Sequence, residues 1–387
     1  MLTAVFALRA LLLVVLAPGR PDGRALLAAG GAFVHDPSTV YAAAAATMAR
    51  TGLLPLNGWL GPPAGAILSA PFALLPHPMA LAAWTAGDGL GALAGLGLVY
   101  LAVGPRGWHR PLFWLVAAYF PPLFADVDAG QLGGYLLLLT GAALWLARKR
   151  PLAAGVLAGL AGAVKLYPAS MVLGAGPRIR AFGAGLLGAA VSITALGFLR
   201  LGPEGPAFYL TKVLGPALRS HYPDCAIDSV PNLYSRVIGG EPYALPGPRG
   251  LIWVSLPLHQ PLVAGALTYV TIAALIGGAI WAARRSGWHP VYGPALALSL
   301  GALIPGEVNA YQFLPLLPIV LVTVIRVVRA ERWTALALIG VGLLGFVRPP
   351  CDLPFPNLWT LAALTLFAVC ACQNDLFRTD RVGARRS

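Results

Sequence analysis

An aspartate closes the first hydrophobic stretch of this chain, in His35-Asp36-Pro37-Ser38-Thr39-Val40-Tyr41, within a sequence that otherwise avoids charge. A carboxylate exposed beside a membrane surface can take the proton of an incoming hydroxyl. Lys165, in Val164-Lys165-Leu166-Tyr167-Pro168, offers the complementary charge, because a lysine at a break in an apolar block is costly to keep without an anionic partner. Arg219 and Arg236, in a long polar stretch, can each clamp two oxygens of a phosphate. Asp36 as base, with Lys165, Arg236 and Arg219 as anion-binding cations, is the constellation these residue types suggest. Asp126-Val127-Asp128 is too thin to argue for a metal, and no His, Asp and Glu cluster has metal-ligand spacing, so neither metal nor cofactor is expected.

The elements that must position these groups are set by composition. Hydrophobic residues make up 58% of the 387 and charged residues 11%, with a mean hydropathy of +0.75. That is the composition of a polytopic membrane protein. Hydrophobic blocks run from Leu2 to Phe367 with no long polar segment, so residues 1–377 read as one integral membrane domain, with 378–387 as a basic tail. The net charge of +13 arises mainly from arginines in short clusters between blocks, which is positive-inside patterning and not a nucleic-acid surface.

Assigning Arg106/Arg110, Arg148-Lys149-Arg150, Arg178/Arg180, Arg284-Arg285, Arg326/Arg329/Arg332 and the tail to the cytoplasm places both termini there. The outer side then holds the loop 18–61 with Asp36, the large loop 201–258, and most of the acidic residues. Candidate helices fall at 2–17, 62–77, 79–103, 111–125, 131–147, 152–164, 166–177, 181–200, 261–283, 289–305, 311–325, 333–347 and 357–372. A span needs roughly 20 apolar residues, so 152–164 and 166–177, broken at Lys165, read as a short hairpin or broken helix. Parity between Gly61 and Gln131 makes the proline-bounded 62–77 block re-entrant. The fold class is an all-α polytopic bundle of about 10–13 transmembrane or re-entrant helices, with outer loops carrying the site.

Plainer readings stand beside these. Asp36 also reads as the N-cap of a helix over 37–50. Lys165 can snorkel to the interface, and Asp126 and Asp128 can be solvated loop residues. Residues 2–17 can be a cleaved signal peptide, although a first transmembrane helix is simpler. Cys225 and Cys351 fall in outer loops where a disulfide can form. Asp88, in the middle of an apolar block, is expected to face the protein interior.

The order of Asp36 with Tyr41, Gly61-Pro62-Pro63, Gly130-Gln131 and Val164-Lys165-Leu166-Tyr167-Pro168 resembles glycosyltransferase family 87, best over about the first 180 residues. The resemblance implies the GT-C architecture, a polyprenyl-phosphate sugar as donor, mannose in the best-known members and arabinofuranose in some relatives, and a site on the extracytoplasmic side of the plasma membrane. It also implies substrate-binding roles for Tyr41, Asp128, Gln131, Tyr167, Asn232, Glu307 and Tyr311. The chain departs from the family pattern at three points. Leu233 stands where glutamine is usual, Gly133 replaces an asparagine, and Glu307-Val308-Asn309-Ala310-Tyr311-Gln312 carries no histidine, with Tyr311 at that position.

A polyprenyl phosphate leaves as an anion without needing a proton, so one base suffices for an inverting single displacement. The sequence therefore favours a membrane glycosyltransferase working on a glycolipid or cell-envelope glycan, with membrane lipids and no nucleic acid as further partners. A transporter or lipid flippase would show paired repeats, and none is evident. A family member without turnover is the third class.

Overall fold

The computed structural model describes residues 21–51, 59–215, 228–247, 250–305, 309–346 and 357–378. The first candidate helix, Arg219, Glu307, Cys225 and Cys351 lie outside these residues. The described chain is almost wholly helical: α1 (Pro21–His35), α2 (Ala42–Thr51), α3 (Pro63–Ala73), α4 (His77–Val103), α5 (His109–Ala118), α6 (Pro121–Ala129), α7 (Gly133–Leu146), α8 (Pro151–Val164), α9 (Ile179–Leu201), α10 (Val230–Val237), α11 (Pro261–Arg285), α12 (Tyr292–Leu298), α13 (Leu317–Arg329), α14 (Trp333–Leu344) and α15 (Leu358–Cys372). Short 3-10 and π segments join several of them.

Among the described residues four helical segments are long and apolar enough to cross a membrane, His77–Val103, Gly176–Leu201, Pro261–Arg285 and Tyr311–Arg329. The bent pair α5 and α6 would make a fifth. Prolines at the first helical positions of α3, α6, α8 and α11 set their starts, since proline lacks only an amide that would be unpaired there. The segment containing α13 is 83% buried within the protein and α11 only 17%, so α13 is the bundle's centre and α11 its lipid-facing edge.

The short helices create the interior. With 11 residues, α3 is about 16 Å long, half a hydrocarbon core, so it cannot cross alone. Helices α4 and α7 lie side by side, with Trp84 at Gly130, Asp88 at Gly134 and Gly95 at Leu137 and Gly141, so they are parallel. The chain between them returns through α5 and α6, which are bent by 46° at the Pro121-Pro122 break. Helices α8 and α9 are parallel in the same way, Gly155 meeting Phe182 and Gly159 meeting Leu186. Their return is the 3-10 segment Tyr167–Gly174, the hairpin expected at Lys165. A Cβ on Gly155 or Gly159 would strike backbone at 1.9 or 2.3 Å, so glycine sets this packing distance.

Three local expectations change. The helix after Asp36 is one 3-10 turn, Pro37–Thr39, which the Asp36 side chain does not cap, and α2 starts only at Ala42. The 289–305 block is α12 followed by a 3-10 turn. The large loop contains a hairpin, β1 (Tyr243–Gly247) with β2 (Gly250–Val254), antiparallel with Tyr243 opposite Val254. Proline and glycine in β1 hid its strand pattern.

Candidate functional site

Lys165 ends α8 in extended backbone, and its ammonium donates to Gln131 Oε1 at 3.2 Å. Gln131 turns its other end outward: Nε2 donates to Asp22 Oδ2 at 2.7 Å. The Lys165 ammonium also stands 5.2 Å from the centre of the Tyr311 ring, a cation–π contact. The Tyr311 hydroxyl lies within the field of Asp22 and accepts from Asn309 Nδ2 at 3.2 Å. One cation, one carboxylate, an amide and a phenol thus form a cluster built from four distant parts of the chain. Asp22, Lys165 and Tyr311 are half-buried and Gln131 is 8% exposed.

The local sequence explains how these groups are held. Gly130, at φ 67°, ends α6 in the left-handed region and reverses the chain so that Gln131 faces α1. Trp84 Nε1 donates to the Gly130 carbonyl at 2.8 Å and fixes that turn. Gly23 packs against it, where a Cβ would lie 3.0 Å from the same oxygen, which lets Asp22 reach Gln131. Tyr311 enters on a 3-10 turn whose first amide, of Asn309, donates to Gln312 Oε1 at 2.6 Å. Beneath the cluster, Asp126 and Asp88 cap the start of α7, accepting from the amides of Gly133 and of Gly134 and Tyr135.

Asp36 sits at the other end of α1. The 14 residues from Asp22 correspond to about 21 Å of helix, so the two carboxylates cannot reach one reacting centre together. Asp36 is exposed, and its Oδ1 accepts from Ser38 Oγ at 2.6 Å. Arg200, at the end of α9, donates to the Phe33 and Val34 carbonyls at 3.3 and 2.6 Å, placing a guanidinium at this end. Tyr41 is buried here, its hydroxyl donating to Gly61 O at 3.0 Å and its ring 5.1 Å from that of Tyr209. Burial pushes the Tyr41 phenol up, which keeps it protonated.

The model of glycosyltransferase family 87 matches residues 59–305, most of the chain. The chain belongs to that family. It is a membrane glycosyltransferase. No curated protein matches it in sequence. The family 87 match contains Gln131, Lys165 and Tyr167, and ends short of Asp22, Asp36 and Tyr311.

Among the described residues the hydrogen-bond and ring contacts of the Lys165 ammonium are to Gln131 and Tyr311, not to the remaining expected site residues of this glycosyltransferase. Asp128 is exposed. Tyr167 wedges against Gly301, where a Cβ would come within 2.2 Å of its side chain. Arg236 is 3% exposed, donates to Asn357 Oδ1 at 3.2 Å and lies 5.5 Å from the Tyr243 ring centre, and Asn232 is buried on the same helix. Asp228 completes this second buried cluster by accepting from Trp359 N at 3.2 Å. Burial pushes the Asp228 carboxyl up to about 7, against the pull of Arg236 and the Trp359 and Thr360 amides. Among the described residues no group of three or more His, Cys, Asp or Glu could hold a metal ion.

Sequence reasoning missed Asp22, Arg200 and the pairing of Asp88 with Asp126. Asp22 and Asp36 carry the same local signal, an acid next to a helix-compatible stretch, and only the turn at Gly130 separates their fates. The usable hint was Gly23 beside Asp22, a glycine inside a helix that marks a close approach.

Proposed function

We propose that this glycosyltransferase moves a sugar, mannose first among candidates, from a polyprenyl-phosphate carrier to a hydroxyl of a glycolipid or cell-envelope glycan by inverting single displacement. The acceptor oxygen bonds to the anomeric carbon as the bond from that carbon to the phosphate oxygen breaks. The electron pair leaves on the polyprenyl phosphate, and the hydroxyl proton passes to a carboxylate. In this reading Asp22 is that carboxylate and Lys165 meets the developing charge on the phosphate. Gln131 holds the two at a fixed separation, and Tyr311 supplies a hydroxyl and a ring face to the sugar. The observation that supports the reading is the bridge itself: one glutamine joins the only carboxylate and ammonium that inverting transfer needs.

A second reading keeps Asp36 as the base, with Arg200 beside it. Its exposed carboxylate carries one short hydrogen bond, from Ser38, and is open to a polar acceptor arriving from water. The arginine clusters support cytoplasmic termini and an extracytoplasmic site for either base.

The test is transfer of labelled sugar from polyprenyl-phosphate mannose, and in parallel from polyprenyl-phosphate arabinofuranose, by membranes holding wild type, Asp22→Asn or Asp36→Asn, with lipid extract as acceptor. Label moving with wild type and Asp36→Asn but not with Asp22→Asn supports the first reading, and the reverse pattern supports the second. Absence of transfer from both donors with stably expressed wild type overturns the proposed donors and favours a transporter or a family member without turnover.

A further inference from the structure

Asp88 on α4 and Asp126 on α6 are 0% and 1% exposed and act on each other across the start of α7. Their Oδ1 atoms are committed to the start of α7: Asp88 Oδ1 accepts from Gly134 N at 2.8 Å and Tyr135 N at 3.3 Å, and Asp126 Oδ1 accepts from Gly133 N at 3.1 Å. Their Oδ2 atoms are buried, and among the described residues no donor reaches either one. Two ionised carboxylates have no hydrogen to place between them, and leaving both charged and unpaired in this buried setting is strongly unfavourable. A single proton between them supplies the missing donor and removes one charge.

The surroundings decide which partner keeps the charge. The groups facing the pair are the amides of α7, the Tyr135 and Tyr167 phenols, and beyond them Lys165 with Asp22 and Tyr311. Lys165 is the cation, and the carboxylates acting on it rank Asp126, then Asp22, then Asp88. Asp88 has instead the Tyr135 hydroxyl on its own side, itself bonded to Trp84 O at 3.1 Å.

We infer that Asp88 and Asp126 form a one-proton carboxyl pair in which Asp88 holds the proton and Asp126 the negative charge, and that Asp126 is a positioning residue which keeps the Lys165 ammonium charged and aimed at the donor phosphate. The pair touches no substrate. The charge assignment rests on the two buried, unpartnered Oδ2 atoms and on Lys165 standing on the Asp126 side, and the link to transfer rests on the role proposed for Lys165. Glycines at 133 and 134 are required by this arrangement, because a Cβ would fall within 2.3 Å of Asp126 Oδ1 and 1.9 Å of the Asp88 carbonyl.

Two experiments test the two parts separately. Infrared difference spectra of the purified protein in lipid, taken at about pH 9, where Asp228 with its value near 7 is ionised, should show a protonated-carboxyl band that shifts in deuterium oxide and is lost in Asp88→Asn. Absence of the band in wild type, or its persistence in Asp88→Asn, overturns the charge assignment whatever the protein catalyses. In the transfer assay, Asn at 88 can still donate to Asp126 and accept from the α7 amides, so Asp88→Asn should lose no more than about threefold, whereas Asp126→Asn should lose about 30-fold or more in kcat/KM for the lipid donor. Asp126→Asn added to Lys165→Ala should cost nothing further. Equal losses in the two Asn variants, or additive losses in the double variant, overturn the positioning role, and Asp126→Glu recovering part of the loss supports it.

Discussion

The two ends of α1 carry the same functional group in opposite settings. At the Asp22 end the carboxylate is half-buried, bonded by Gln131 beside Tyr311, and joined through one amide to a lysine, with four segments of chain converging on it. At the Asp36 end the carboxylate is exposed, its nearest donor is Ser38 two residues away, and the neighbouring guanidinium of Arg200 is engaged with backbone carbonyls. In an inverting displacement the base and the cation that meets the leaving group flank one anomeric carbon from opposite faces, so both must belong to one site. Among the described residues only the Asp22 end provides both within one hydrogen-bonded cluster. Openness to solvent alone favours Asp36, and the contrast sets exposure against what the fold brings to a side chain.

The largest effect expected from breaking this comparison is Asp22→Asn, which should lower the rate of transfer at least 100-fold, while Asp36→Asn should cost less than about tenfold. Initial rates at saturating acceptor give the answer, and an inverted order moves the reacting centre to the exposed end. Lys165→Ala comes next, with about 30-fold loss in kcat/KM for the lipid donor carried mainly by KM, because the phosphate loses its cation. Lys165→Arg should recover part of it, since an arginine can also hold a phosphate but cannot keep the geometry of the Gln131 contact. Activity should persist in excess chelator, and loss with rescue by a divalent ion would redirect the phosphate-binding role from Lys165 to a metal.

The membrane class, the family and the break at Lys165 were legible because each depends on local pattern: block length, a Lys-x-x-Pro interruption, a Gly-Gln turn. The contact that joins Asp22 to Gln131 and Lys165 was not. It depends on Gly23 packing against the Gly130 turn across more than a hundred residues, a tertiary approach that leaves no periodic trace. The burial of Arg236 was hidden for a related reason. An arginine in a polar loop suggests a phosphate clamp, but α10 buries it against Asn357 and Tyr243, where it pins the loop to the start of α15. The hairpin of the same loop escaped notice because its strands are short and contain proline and glycine.

That second buried cluster sharpens the comparison as a control, since it combines a carboxylate and a cation as the Asp22 end does, yet its described partners include none of the Lys165 group. Asp228 should therefore act on stability and not on chemistry. With its carboxyl raised to about 7 by burial, against an ordinary value of 3.8, the folded protein keeps a proton that the unfolded chain releases between these values. Stability then falls as pH rises from about 4 to about 7 and is level above that, because the folded state binds the extra proton throughout that interval. Asp228→Asn keeps the acceptor for the Trp359 amide and cannot ionise. Its Tm should match wild type near pH 4 and exceed it by a few degrees at pH 8, with transfer changed less than about twofold. A Tm difference that is constant across this range would mean that Asp228 is ionised in the fold throughout, and a large loss of transfer would make the loop anchor part of the reacting site.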